Sequence, residues 1–150
     1  DGKTYTTETL ELLDAKLVQE GQDEALSVYE GAPVQLRISV RSSKPHKNVI
    51  VMAVFLKLSG EIQSLVSSDL TSVRLDLKEG GNLVTCNIDD LPFLSGTYHM
   101  NLKVITEDGE TLFAPEYKIF FIKDGQRGDA ISMYRKWAGE MLLNHRWDVA

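Results

Sequence analysis

Apolar and polar positions alternate along most of this chain, most cleanly in VQLRISVRS. Val34, Leu36, Ile38 and Val40 fall on one side there, and Gln35, Arg37, Ser39 and Arg41 on the other, because successive strand side chains point to opposite faces. The same period runs through LPFLSGTYHMNLKV. A proline-bearing apolar corner and a glycine turn feed a strand in which Tyr98, Met100, Leu102 and Val104 face inward. His99, Asn101 and Lys103 point away. LELLDAKLV, IQSLVSS, LVTCNI and the stretch around KIFFI read as further strands. Residues 49–58, VIVMAVFLKL, are continuously apolar and rich in β-branched side chains, which predicts a buried central strand. The run is too short for a membrane-spanning helix of about 20 residues.

Turn chemistry separates these segments. Tyr29-Glu30-Gly31-Ala32-Pro33, SSKPHKN, Ser59-Gly60-Glu61 and Lys78-Glu79-Gly80-Gly81-Asn82 are reversals, and Glu107-Asp108-Gly109-Glu110 is a hairpin turn. Pro115 confines the early part of the last long strand to an edge. Residues 69–76 have no firm period. Between 124 and 139 the period changes: Ala130, Met133, Tyr134 and Trp137 sit at helical spacing, with Asp129 as N-cap and Gly139 as C-cap. That predicts one short helix. Met141, Leu143 and His145 then alternate with Leu142 and Asn144, predicting a last short strand that leads into Trp147.

Roughly seven to nine short strands with turns every ten or so residues, and no strand–helix alternation, describe an all-β fold. The expected architecture is an antiparallel immunoglobulin-like or jelly-roll sandwich with one short helix near the C-terminus. Residues 1–9 read as a polar linker or arm, and 10–150 as one domain.

Composition narrows the function. The chain has 150 residues, 43% hydrophobic and 25% charged, which suits one globular domain. A net charge of −6 argues against duplex nucleic acid, which needs clustered Lys and Arg. Cys86, the single cysteine, excludes an internal disulfide. It alternates with Val84 and Ile88 and so reads as a buried small hydrophobe, compatible with a cytosolic setting. His46, His99 and His145 are far apart, and no HxH, HExxH or CxxC spacing offers a metal site. GxxxxGK[ST], GxGxxG and GxSxG are missing too. Asp89-Asp90 and the acidic trio around Gly109 read as solvated turn residues. The expectation is a non-enzyme with no cofactor and no metal. Because the chain begins with Asp1, it is expected to be a piece of something larger.

Several landmarks occur in order: LLDAK, YEGAPVQLRISVR, LPFLSGTYHMNLKV, EDGE, KIFFI and the terminal GEMLLNHRW. This series resembles the C-terminal carbohydrate-binding domain of the ATPase subunit of O-antigen exporters, the Wzt type of ABC transporter. The resemblance runs from about Leu10 to Trp147. It implies a sandwich that follows a nucleotide-binding domain and binds the modified non-reducing end of a finished, lipid-linked polysaccharide. It further implies a cytoplasmic place at the inner face of the inner membrane, with the transporter's membrane subunit as partner. A homodimer made by exchange of the C-terminal strand is implied as well, which here would use Met141, Leu143, His145 and Trp147. The segment 126–138 departs from the family in being longer than a brief link.

For the sugar site, the outward sets Arg37, Ser39, Arg41 and His99, Asn101, Lys103 are the expected contacts. Planar hydrogen-bonding groups suit sugars, and Arg or Lys would favour an acidic end group. The plainer reading is that both sets are the wet faces of two strands. Among the aromatics, Tyr98 and Phe121 are expected in the core, Trp137 packed on the sandwich and Trp147 at an interface. Two other functions fit the same pattern: a ligand-free dimerisation module, and a sugar-binding sandwich appended to a glycan-modifying enzyme such as a methyltransferase.

Overall fold

The alternating segments become eleven strands in a computed structural model, which describes residues 4–20, 26–123, 143 and 145–150. In chain order they are β1 Tyr5–Thr6, β2 Leu10–Val18, β3 Ser27–Tyr29, β4 Val34–Ser42, β5 His46–Lys57 and β6 Ile62–Ser67. After a 3-10 turn at Ser68–Thr71 come β7 Leu75–Leu77, β8 Gly80–Ile88, β9 Gly96–Ile105, β10 Thr111–Lys123 and β11 His145–Val149. One sheet runs β1-β2-β4-β8-β11 and the other β3-β10-β9-β5-β6, with β7 added beside β5. The fold is therefore an all-β sandwich, as the alternation predicts. One pair departs from the expected antiparallel scheme: β3 runs parallel to β10, pairing Ser27 with Phe121.

The inner positions of β4 and β8, among them Leu36, Ile38, Val84 and Cys86, are fully buried, and so is Phe55 of β5 across the core. Phe120 is the hub of the far layer, 5.6 Å from Phe55 and 5.7 Å from Tyr98 between ring centroids. Burial pushes the Cys86 thiol up to about 12, Arg146 opposing weakly. It is an inert packing group at neutral pH.

The LPFLSGTY corner has a specific job. Tyr98 is 4% exposed, and its hydroxyl donates to the Leu94 carbonyl, 2.5 Å away. Such a tyrosine corner is a hallmark of immunoglobulin-like sandwiches. Burial, aided by the Glu30 carboxylate, raises the phenol above its ordinary pKa and keeps it a donor.

Several expectations are corrected. Phe121 is 49% exposed rather than core, and Phe120 takes the inner place. A bulge between Ala114 and Lys118 accommodates Pro115, and Glu116 sits there at φ 48. The bulge adds two residues and so keeps the parity of β10, with Leu112, Ala114, Phe120 and Ile122 all facing in. The last strand begins at His145 and contains Trp147 instead of preceding it. The expected helix, with Trp137, and the position of Met141 lie outside the described residues.

The expected arm is tied down from Tyr5 onward. Tyr5 and Thr6 pair with β2, and the Tyr5 ring meets Tyr117 edge-on at 5.5 Å. Glu110, at the end of the β9–β10 turn, then accepts from the Thr7 hydroxyl, the Thr9 amide at 2.8 Å and the Thr9 hydroxyl at 2.7 Å. Since the Thr9 hydroxyl has one proton and gives it to Glu110, His46 Nε2 must donate to Thr9 Oγ1 across 2.8 Å.

Partial burial alone would raise the Glu110 pKa. The Thr7 and Thr9 hydrogen bonds outweigh it and hold the carboxyl below its ordinary 4.5. A depressed folded-state pKa stabilises the fold above the unfolded value and loses that contribution as pH falls through the folded one. Urea unfolding across a pH series should accordingly show stability declining below about pH 4.5, and Glu110→Gln should flatten that acid-side slope. A variant that declines as steeply as wild type would remove Glu110 from this role.

Candidate functional site

The pairing of four strands carries two polar rows across the outer face of the five-stranded sheet. Val18, Gln35, Asn87 and Arg146 align in one, and Lys16, Arg37, Thr85 and Asp148 in the next. With strands about 4.8 Å apart, each row spans roughly 14 Å.

Around the first row lies an open cleft of about 580 Å³. Val18, Pro33 and Ile88 give it apolar surface, while Gln35, Arg37, Asn87 and Arg146, with Glu20 and Asp89, supply its polar groups. These polar groups are ordered by one another. Arg37 Nε donates to Gln35 Oε1, and Gln35 Nε2 donates to Asn87 Oδ1 at 2.9 Å. Arg146 and Asp89 pair at 3.4 Å at the exposed margin, a contact worth little in itself.

The Arg37–Gln35–Asn87 chain fixes two planar amides and a guanidinium. It leaves the Asn87 amide hydrogens and the outer nitrogens of Arg37 without a partner among the described residues. Such a surface can donate several hydrogen bonds in fixed directions and accept others at Asp89 and Glu20. That suits a polyhydroxylated or anionic ligand. It offers no nucleophile–base pair, and among the described residues no group of three or more His, Cys, Asp or Glu could hold a metal.

The six residues expected to bind sugar do not form one site. Arg37, Ser39 and Arg41 lie on the outer face of the five-stranded sheet, where Arg37 lines the cleft and Arg41 pairs with Glu11 at 3.4 Å. His99, Asn101 and Lys103 lie on β9, in the other sheet and on the opposite side of the molecule. His99 is only 5% exposed, with Nε2 2.9 Å from the Lys57 carbonyl. Asn101 Oδ1 accepts from the Glu116 amide at 2.7 Å, and the Lys103 ammonium sits 5.8 Å from the Phe113 ring centroid. Each makes a local contact, while the amide hydrogens of Asn101, like those of Asn87, have no partner among the described residues.

Sequence reasoning missed Asn87, Asp89, Glu20 and Arg146. Asn87 had a signal: it holds an outward position between Cys86 and Ile88. Arg146 had none, because its place depends on β11 docking beside β8.

Leu143, His145 and Trp147 cluster at that same edge. His145 Nδ1 lies 2.7 Å from the Leu143 carbonyl, and Nε2 lies 3.1 Å from the Ser67 amide of the facing sheet. Trp147 is buried opposite Cys86.

A second concavity, of about 500 Å³, lies by Asn48, Asp69, Arg74 and Glu107. Its Asn48 amide is already held by Glu107 and its Asn48 N–H by Asp76.

Among solved structures, the sandwich matches the crystal structure of the C-terminal domain of Wzt with a TM-score of 0.69. The match covers 81% of this chain and 77% of that one. The chain has the fold of the Wzt C-terminal domain. Identity is 13%, so the likeness lies in strand order and packing and not in side chains. No family model and no curated protein matches the sequence. Among the described residues, no helix of this Wzt-like sandwich is long and apolar enough to cross a membrane.

Proposed function

We propose that this chain binds the modified non-reducing end of an O-antigen-type polysaccharide in the Gln35–Arg37–Asn87 cleft, and so couples recognition of the finished glycan to export by an ABC transporter. The observation that carries this reading is the ordered row of planar donors on the polar outer face of a sandwich with the Wzt C-terminal fold. Arg37 and Arg146 give the cleft two guanidiniums suited to a carboxylate or phosphate on the end sugar. The ATPase chemistry would belong to an upstream nucleotide-binding domain, and the working position is the cytoplasmic face of the inner membrane beside the transporter's membrane subunit.

Strand exchange between two copies fits the same picture. β11 makes five registered pairs with β8, and these pairs would be identical if the strand came from a second copy. Two weak cleft sites on one dimer would raise avidity by about 10²–10⁴ toward glycans gathered on a membrane.

The test is calorimetric titration with O-polysaccharides bearing an end cap, against the same chains with the cap removed. Binding to the capped form alone is expected. Silence across all capped glycans would leave the sandwich a ligand-free dimerisation module.

A further inference from the structure

The cleft is built on strands of unequal hold. Gln35 and Arg37 stand on β4, which is laddered on both sides, to β2 and to β8. Asn87 stands on β8, between β4 and β11. Arg146 comes from β11, a five-residue strand at the sheet edge whose one ladder neighbour among the described strands is β8. Such a strand opens more readily than those inside the sheet, because fewer backbone hydrogen bonds and packed neighbours hold it. One of the two guanidiniums of the cleft is thus carried by its most weakly held element. Arg146 stands directly opposite Asn87 in the β8–β11 register, and both line the cleft. Cross-strand neighbours of this kind have Cβ atoms about 5 Å apart. The Arg146 side chain is 71% exposed, and its 3.4 Å contact with Asp89 is a weak tie. An anionic group bound at Asn87 is therefore within reach of a guanidinium that little else restrains.

We infer that a glycan end group in the cleft and the docking of β11 on β8 stabilise one another, so that the terminal strand registers whether the cleft is filled. This rests on the cleft being the glycan site. A ligand shared between Asn87 and Arg146 touches two strands while β11 is docked and loses the second when that strand lifts away. It binds the docked state more tightly, and a ligand shifts an equilibrium by as much as its affinities for the two states differ. The coupling is reciprocal: the factor by which undocking weakens the glycan is the factor by which the glycan strengthens docking. For a hydrogen bond between a guanidinium and an anion that factor is about 10–100-fold. The effect reaches both layers of the sandwich. His145, beside Arg146, places Nε2 3.1 Å from the Ser67 amide of the facing sheet, and Trp147 on its other side packs into the central core cluster. A strand fixed at Arg146 fixes these contacts too.

Hydrogen exchange of the full chain, free and saturated with the capped polysaccharide, tests the coupling, with calorimetry in the same buffer to establish binding. The amides of Arg146–Val149 should exchange about 10–100-fold more slowly in the bound protein. Those of β6, an edge strand of the other sheet that contributes nothing to the cleft, should exchange at one rate in both. Arg146→Gln, at an exposed position, should melt like wild type. It should bind the glycan more weakly and lose the slowing of β11 by the same factor. Equal slowing at β6 and β11 would mark a general stabilisation and overturn the inference. Full binding with β11 exchange unchanged would overturn it while leaving the glycan site standing, and so would a slowing undiminished in Arg146→Gln. A chain that binds no glycan fails at the site itself, and both readings fall together.

Discussion

Trp147→Ala should destabilise the fold by about 3–5 kcal/mol, the range for deleting a buried tryptophan. Trp147 is 7% exposed at the middle of β11 and stands opposite Cys86 of β8. Its indole nitrogen has no hydrogen-bond partner, so the loss is one of packing, with no hydrogen bond lost beside it. The other ties of β11 are weaker. They are an edge ladder to a single neighbour, the His145 contacts to Ser67 and the exposed Arg146–Asp89 pair. Without Trp147 the strand has little to hold it on β8. Urea unfolding followed by circular dichroism measures the first effect, and hydrogen exchange along β8 measures the second. An unfolding midpoint within experimental error of wild type would show that β11 is not part of the cooperative fold. Because Arg146 lines the cleft, strand release should also weaken any ligand held there.

Arg37→Ala should weaken binding of the capped polysaccharide by about 10–100-fold, the range for a hydrogen bond to a charged group. Arg37 orients Gln35, which in turn orients Asn87, so truncation removes a donor and loosens two amides. His99→Gln and Lys103→Ala, on the other side of the sandwich, should leave affinity unchanged. Titration of the three variants against one glycan reads the difference. The reverse pattern, with loss at Lys103 and none at Arg37, would move the site to the six-stranded sheet.

Much of the fold was legible because period-2 alternation is a local property. β4, β8 and β9 stand close to where their patterns placed them, and the corner ahead of Tyr98 is the turn its proline- and glycine-bearing sequence suggested. Residues 69–76 lacked a period because they divide between a 3-10 turn and the three-residue β7. Alternation failed on β10 for a different reason. KIFFI is apolar at both parities, with Ile119 and Phe121 on one side and Phe120 and Ile122 on the other, so the period alone did not say which pair faces in, and Phe121 was taken for a core residue.

The site was less legible. Alternation tells inside from outside but not which sheet a strand joins, so two outward sets on opposite sides looked equivalent. Gln35 and Asn87 are 52 residues apart and meet only through the β4–β8 register. Nor does an outward position guarantee exposure. His99 is covered by its cross-strand neighbours Leu56 and Ile119.

The bulge has one more effect. Between Thr111 and Tyr117, β10 is laddered to β9 alone, since β3 reaches only Phe121 to Lys123. An unpaired border along so apolar a sequence would template stacking of chain upon chain into fibrils. Pro115 lacks the amide such growth requires, and Glu116 twists the backbone away with a charge at the tip. Two residues that look like a flaw in the strand are gatekeepers against aggregation.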